Sequence, residues 1–354
     1  MYNCLIFILF NLIMSCAFAQ SEVSVLISVT DTNTENYRQS MLDYNEGLAF
    51  FKKNKYQEAL TFFNKCISLN PNYASALVNR GAVKMELKEE EGAYADFNKA
   101  LVLDSLHDEA YYRLSEYKKT KGNKQDALKE ISRAISINDK NASYFYARGV
   151  LYFENKEFDV AIEDFNKAIA IKPDFAYAYN DRGSAKRQLE NYREALKDYN
   201  SAIQIDPSLA FVYNNLGSLK RKTGDYTGAI AEYSQAIRLN ENYFLAYNNR
   251  GGAKYDAGDF EGAIIDFTQA IQMNTNYFFA YSNRAAAKYK LDDFLGAIAD
   301  CDEAIKINQD YGDAYLNRGI SREMARDPQG ACLDWKRARD LGVQGIEAYL
   351  NDCN

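Results

Sequence analysis

The feature that most constrains this chain is a register. On a step of thirty-four residues, Ala59, Ala93, Ala127, Ala161, Ala195, Ala229, Ala263, Ala297 and Ala331 are all alanine. A second series on the same step, Gly47, Gly81, Ser115, Gly149, Gly183, Gly217, Gly251, Ala285 and Gly319, departs from glycine only at Ser115 and Ala285. A period held this long marks a stack of small supersecondary units that each touch their neighbours, not one globular core. The length, 354 residues, would otherwise suggest two ordinary domains.

Each copy reads as two short helices and a turn. Within residues 210–243 the first helix carries Tyr213, Leu216 and Gly217, and the turn is Gly224-Asp225-Tyr226. The second helix then places Ala229, Ile230, Tyr233, Ala236 and Ile237 on one face at helical spacing. Small residues at the Gly217 and Ala229 positions imply a close antiparallel crossing, because a larger side chain would push the axes apart. A small or flexible residue ends the first helix, and Asn191, Asp225 or Asp259 is placed to cap the second. Pro328 follows Asp327 at a first helical position, where no backbone donor is missed. With 47% apolar residues and four prolines, the composition suits a nearly all-helical chain. The expected fold class is all-α, an α-solenoid of about nine helix–turn–helix units over residues 37–345, closed by a capping helix at 346–354.

Tyr213, Leu216, Gly217, Ala229, Tyr233 and Ala236, with Pro71, Pro173 and Pro207 at unit ends, resemble the tetratricopeptide repeat. The likeness covers about residues 40–345. It implies a right-handed superhelix whose first helices line a concave groove, and it speaks more to fold than to function.

Residues 1–19 carry no charged side chain, and Ala17-Phe18-Ala19 precedes Gln20 as a small-x-small cleavage site would. The segment reads as a signal peptide of an exported bacterial protein, followed by a flexible leader at 20–36. The expected location is periplasmic or extracellular. An uncleaved apolar anchor is one alternative; Ile13-Met14-Ser15-Cys16 also resembles a lipoprotein box, so an outer-membrane lipoprotein anchored at Cys16 is the other. Cys66 and Cys301 take packing positions of second helices and read as buried thiols. Cys332 and Cys353 would lie together if the terminal helix folds back, and a disulfide between them is a candidate in an oxidising compartment.

Chemistry is sparse. A formal charge of −7 argues against nucleic acid as partner. A single histidine, His107, and the absence of a C-x-x-C pair argue against a metal site. With no phosphate loop and no nucleophile motif, no catalytic residue, cofactor or enzymatic activity is expected. Arg80, Arg148, Arg182, Arg250, Arg284 and Arg318 share one position, with Lys84, Lys186, Lys220, Lys254 and Lys288 four residues beyond it. Asp96, Asp164, Asp198, Glu232, Asp266, Asp300 and Asp334 recur on the second helices, and the two sets read as a structural network rather than a charged track.

The informative ladder is Asn79, Asp181, Asn215, Asn249, Asn283 and Asn317, doubled by Asn180, Asn214 and Asn248. By the resemblance these positions face the groove, as in family members whose asparagine ladders hold extended peptides. A side-chain amide offers donors and an acceptor, and so can satisfy a peptide backbone without reading its sequence. Tyr177, Phe211 and Phe279 share the face and suit apolar side chains; Arg187, Arg221 and Lys222 suit carboxylates. The competing role for the asparagines is to bond across neighbouring helices. The family's carboxylate clamp is absent, since its asparagine position reads Leu48, Ala82, Glu116, Val150, Ser184, Ser218, Gly252, Ala286 and Ile320. The expected function is a scaffold that binds an extended segment of a protein partner. The alternatives are architectural self-association and binding of cell-wall or polysaccharide fragments. The mature protein is expected to start at Gln20, which an intact-mass measurement checks; a diacylated Cys16 would replace that cleavage with the lipoprotein route.

Overall fold

The computed structural model describes residues 32–351 and 353. The expected signal peptide, the candidate lipidation site at Cys16 and residues 20–31 of the expected leader lie outside them. Nineteen helices and no strand are found among the described residues. They are α1 (Thr32–Lys52), α2 (Tyr56–Leu69), α3 (Ala74–Glu86), α4 (Glu90–Leu103), α5 (Asp108–Thr120), α6 (Lys124–Ile137), α7 (Ala142–Glu154), α8 (Phe158–Ile171), α9 (Ala176–Gln188) and α10 (Tyr192–Ile205). There follow α11 (Ala210–Lys222), α12 (Tyr226–Leu239), α13 (Phe244–Asp256), α14 (Phe260–Met273), α15 (Phe278–Lys290), α16 (Phe294–Ile307), α17 (Gly312–Met324), α18 (Pro328–Asp340) and α19 (Glu347–Leu350). The first helix starts at Thr32, inside the stretch read as a leader.

Two compact units divide between Asp174 and Phe175. The first holds the pairs from α1/α2 to α7/α8; the second holds those from α9/α10 to α17/α18, then α19. In each unit the two helices of a pair pack along their length, and each second helix packs on the first helix of the next pair. The alanines of the register are completely buried, and the ring sixteen residues after each register glycine fills the crossing. A Cβ on Gly217 would sit 2.8 Å from Cε1 of Tyr233, and one on Gly251 2.8 Å from Cε1 of Phe267. Neither distance is tolerable for real atoms, so the crossing itself demands glycine.

The turns differ from expectation in one respect. Asn54, Lys88, Gly122, Lys156, Glu190, Gly224, Gly258, Asp292 and Arg326 all have positive φ, again on the thirty-four-residue step. Only three are glycine. Reversed bonds close the turn whatever the residue, as in Asp225 N–H to the Lys220 carbonyl at 2.9 Å and Asn191 N–H to that of Lys186 at 2.9 Å. The packed helices on either side impose the left-handed conformation, at a cost of roughly 1–2 kcal/mol at Lys88, Lys156, Glu190 and Arg326. Asp225, Asp259, Asp293 and Asp327 cap their helices by accepting from the N–H three residues on, each at 2.9 Å. Asn191 makes no side-chain cap bond, contrary to expectation.

At the C-terminus Ile346 is buried with Ala331, Trp335 and Ala338, and the Tyr349 ring lies 5.1 Å from that of Trp335. Cys332 and Cys353 are joined by a disulfide across a Cα–Cα distance of 5.4 Å. No helix among the described residues is long and apolar enough to cross a membrane.

Ion pairs hold the helices in phase. Arg250 gives Nε–H and Nη2–H to the two oxygens of Asp266, at 2.8 and 2.7 Å, and Lys254 adds a third contact at 2.9 Å. Asp266 is 1% exposed. Asp266→Ala strands two cations and is expected to cost about 3 kcal/mol in urea unfolding, whereas Lys306→Gln, at an exposed pair, should leave the midpoint almost unchanged. Reduction of the disulfide should remove about 3 kcal/mol of constraint on the twenty-one-residue loop it closes. Faster amide exchange confined to residues 340–350 would show it.

Candidate functional site

The first helices of the second unit, α9, α11, α13, α15 and α17, present the asparagine ladder along one face. Its geometry is a staircase with a step of thirty-five residues. Asn215 Nδ2 donates to Asn180 Oδ1, Asn249 Nδ2 to Asn214 Oδ1 and Asn283 Nδ2 to Asn248 Oδ1, each at 2.9 Å, and Asn317 Nδ2 donates to Ser282 Oγ at 3.1 Å. The acceptors are buried: Asn180 is 3%, Asn214 8%, Asn248 7% and Ser282 2% exposed.

The expectation of free amides is therefore corrected. Asn180, Asn214 and Asn248 are spent on the structure; Asn180 also donates to Asp181 at 2.8 Å. Asn215, Asn249, Asn283 and Asn317 are half-buried and give one N–H each to the preceding first helix. The side-chain carbonyls of Asn215, Asn283 and Asn317 have no partner among the described residues.

The other predicted groove residues divide. Tyr177 and Phe211 stack on each other, with centroids 5.5 Å apart and planes 17° from parallel. Phe279 is 41% exposed and packs against Phe278 and Tyr311. Arg221 gives its Nε–H to Asp256 at 2.6 Å. Ser218, Arg221, Lys222, Tyr233, Asn249 and Asp256 line a cleft of ≈ 410 Å³.

The sequence reading missed the phenols of this face. Tyr233 donates to Ser218 Oγ at 3.1 Å, and Tyr199 shares a 3.1 Å hydrogen bond with Ser184. Burial pushes both phenols above their usual range; Ser218, Arg221 and Arg187 pull Tyr233 back, and Arg187 and Ser184 do so for Tyr199. Their signal was present, since Phe63, Phe97, Phe165 and Phe267 occupy the equivalent position elsewhere.

In the first unit the ladder does not continue. Asn79 donates to the Tyr44 hydroxyl at 3.0 Å and to the Ser75 carbonyl at 2.9 Å. One repeat on, the ladder position is Arg113, buried between Glu109 and Glu116 at 2.8 Å from each. Burial raises the Glu109 carboxyl above the ordinary range, and Arg113 opposes the rise. Burial likewise pushes the Cys66 thiol up to about 11 and that of Cys301 to about 12, which leaves both as packing groups. No group of three or more potential metal ligands occurs among the described residues.

The paired, stacked helices that carry this face are an architecture shared with known proteins. A family model described as tetratricopeptide repeat matches residues 44–73 and 176–209, and a second of the same description matches 108–141 and 245–277. A model described as TPR repeat matches 151–186 and 217–256, and the three together cover just over half of the chain. RNA polymerase II-associated protein 3 from Xenopus tropicalis is 42% identical over 57 residues, which are 16% of this chain and 9% of that protein.

Among solved structures, a tetratricopeptide repeat protein from Parabacteroides merdae ATCC 43184 superposes with a TM-score of 0.56 at 18% identity, covering 69% of this chain and 97% of that one. A chain of the APC/C hetero-tetramer Cut9–Hcn1 gives 0.54 at 14% identity, covering 89% and 83%. The pilF protein of Pseudomonas aeruginosa gives 0.52 at 19%, covering 60% and 96%. These likenesses concern the fold alone. Stacked repeats of this class serve as scaffolds for contact with other proteins. Register, pairing and family models agree, and the chain belongs to the tetratricopeptide repeat family.

Proposed function

We propose that the first-helix face of residues 175–354 binds an extended segment of another protein. The observation that carries this reading is the outer row of the ladder. Asn215, Asn249, Asn283 and Asn317 recur once per repeat, half-exposed, each with amide capacity beyond its bond to the preceding helix. An extended backbone offers N–H and C=O groups in alternation, and a row of amides meets both. Phe279 supplies exposed aromatic surface on the same face. The family's general use of repeat arrays supports the reading, and it requires no chemical step from the chain. The apolar leader at residues 1–19 supports export, which would put the partner in the periplasm or outside the cell.

Self-association through the opposite side is the second reading. Ile265, Leu295 and Leu333 lie on second helices and are 62%, 75% and 68% exposed.

Alanine at the ladder asparagines would orphan the buried carbonyls they bond, so it does not separate binding from folding. Phe279→Ser and Leu295→Ser change exposed side chains on the two sides. With envelope proteins captured on the immobilised mature chain, Phe279→Ser is expected to reduce the captured partner about fivefold, while Leu295→Ser leaves it unchanged. The reverse pattern, with a fall in mass by light scattering for Leu295→Ser, would favour self-association.

A further inference from the structure

Within the second unit, one cleft breaks the pairing of charges. In its ≈ 410 Å³, Arg221 and Asp256 face each other across a step of thirty-five residues. Asp256 takes only the Nε–H of Arg221. The Nη1 and Nη2 nitrogens have no partner among the described residues, and the guanidinium lies against Gly252, where a Cβ would come within 2.5 Å of Nη1.

The same step from Arg187 lands on Lys222. One repeat earlier, therefore, an ammonium stands where the carboxylate should be. Arg187 is half-buried and Lys222 exposed, and neither has an ion pair or hydrogen bond among the described residues.

Tyr233 and Ser218 put hydroxyls in the wall of the cleft, and Arg187 acts on the Tyr233 phenol from beside it. The Tyr–Ser–Arg combination occurs twice, as Tyr199, Ser184 and Arg187 and as Tyr233, Ser218 and Arg221, in adjacent repeats and nowhere else in the chain. Around these phenols, Arg187, Arg221 and Lys222 stand against Asp181, Asp198 and Asp256. Asp198 is already held by Arg182 at 2.6 Å and Lys186 at 2.8 Å, so the other three cations meet two carboxylates and one positive charge is left over.

The geometry points to a carboxylate site: this cleft takes an Asp or Glu side chain of an extended acidic peptide, held by Arg187, Lys222 and the open edge of Arg221. The inference rests on the groove reading above and fixes where along the groove the segment is anchored. A monoanion matches the surplus charge, and the planar guanidinium edge matches a carboxylate's two oxygens. The donors differ in position from the family's carboxylate clamp, whose asparagine position is Ser218 here.

The test uses the full mature chain and labelled acetyl-Gly-Glu-Gly-Glu-Gly-amide, with its Gln twin, in fluorescence anisotropy. The Glu peptide is expected to bind at least about tenfold tighter than the twin, as for hydrogen bonds to a charged group. Lys222→Asp rebuilds the Arg221–Asp256 pair one repeat earlier and should erase the preference without lowering the melting temperature. Arg187→Gln should erase it too.

Equal affinity for the twins, binding of neither, or a preference retained in both variants overturns the site. Tighter binding of a phosphoserine version assigns the cleft to phosphate and likewise overturns the carboxylate. Twins bound equally remove the anchor but leave the groove standing. A Glu preference that persists while Phe279→Ser still captures the partner in full keeps the cleft and removes the groove.

Discussion

The structure depends on a guanidinium that touches three helices at once. Arg250 sits on α13, binds both oxygens of Asp266 on α14, and sends Nη1 back to Ser234 Oγ on α12 at 3.0 Å. Arg284 repeats this with Asp300 and Thr268, Arg318 with Asp334 and Asp302, and Arg148 with Asp164 and Ser132. A buried carboxylate is costly unless its lone pairs are met, and here two donors from arginine, often joined by a lysine, meet them. A bidentate pair is also directional, so it fixes the rotation of one helix against the next where alanine and glycine only fix their separation.

Two repeats test this account from within the chain. At the arginine position the third and sixth pairs carry Leu114 and Leu216. In the same pairs the opposing Asp becomes Glu130 and Glu232. The leucines are 3% and 2% exposed, so they fill the space the guanidinium would occupy. The longer acid then reaches the remaining lysine, Lys118 at 2.8 Å and Lys220 at 2.6 Å. From the second pair to the ninth, arginine with aspartate and leucine with glutamate are two solutions to one packing problem, with no mixed combination; the first pair, with Glu46 and Phe62, uses neither.

This explains which parts of the molecule were legible in advance. Ala229 and Gly217 declare themselves because a close crossing admits few residue types and the period repeats the evidence. The turn conformation at Lys156 or Glu190 was hidden, because neighbouring helices impose it on residues with no preference for it. The ladder was seen but half misread. A step of thirty-four finds positions that are equivalent, whereas atoms that touch across neighbouring first helices lie thirty-five apart. The doublets Asn214-Asn215 and Asn248-Asn249 contained that information: one member accepts from the helix after, and the other donates to the helix before.

An array that satisfies its own buried charges so consistently makes exceptions meaningful. Each register arginine from Arg80 to Arg318 has its aspartate, and Arg221 has Asp256. Arg187 departs from the rule at a position where the register supplies Lys222 in place of an acid. Leaving a half-buried cation beside another costs stability that an aspartate at 222 would restore. A repeat protein that copies its solutions so faithfully elsewhere has the means to make that replacement. Amides such as Asn215 and Asn249 hold any backbone and so cannot set which residue of a segment lies where. A charged cleft can, and the two together give a groove that tolerates sequence while fixing its register at one point.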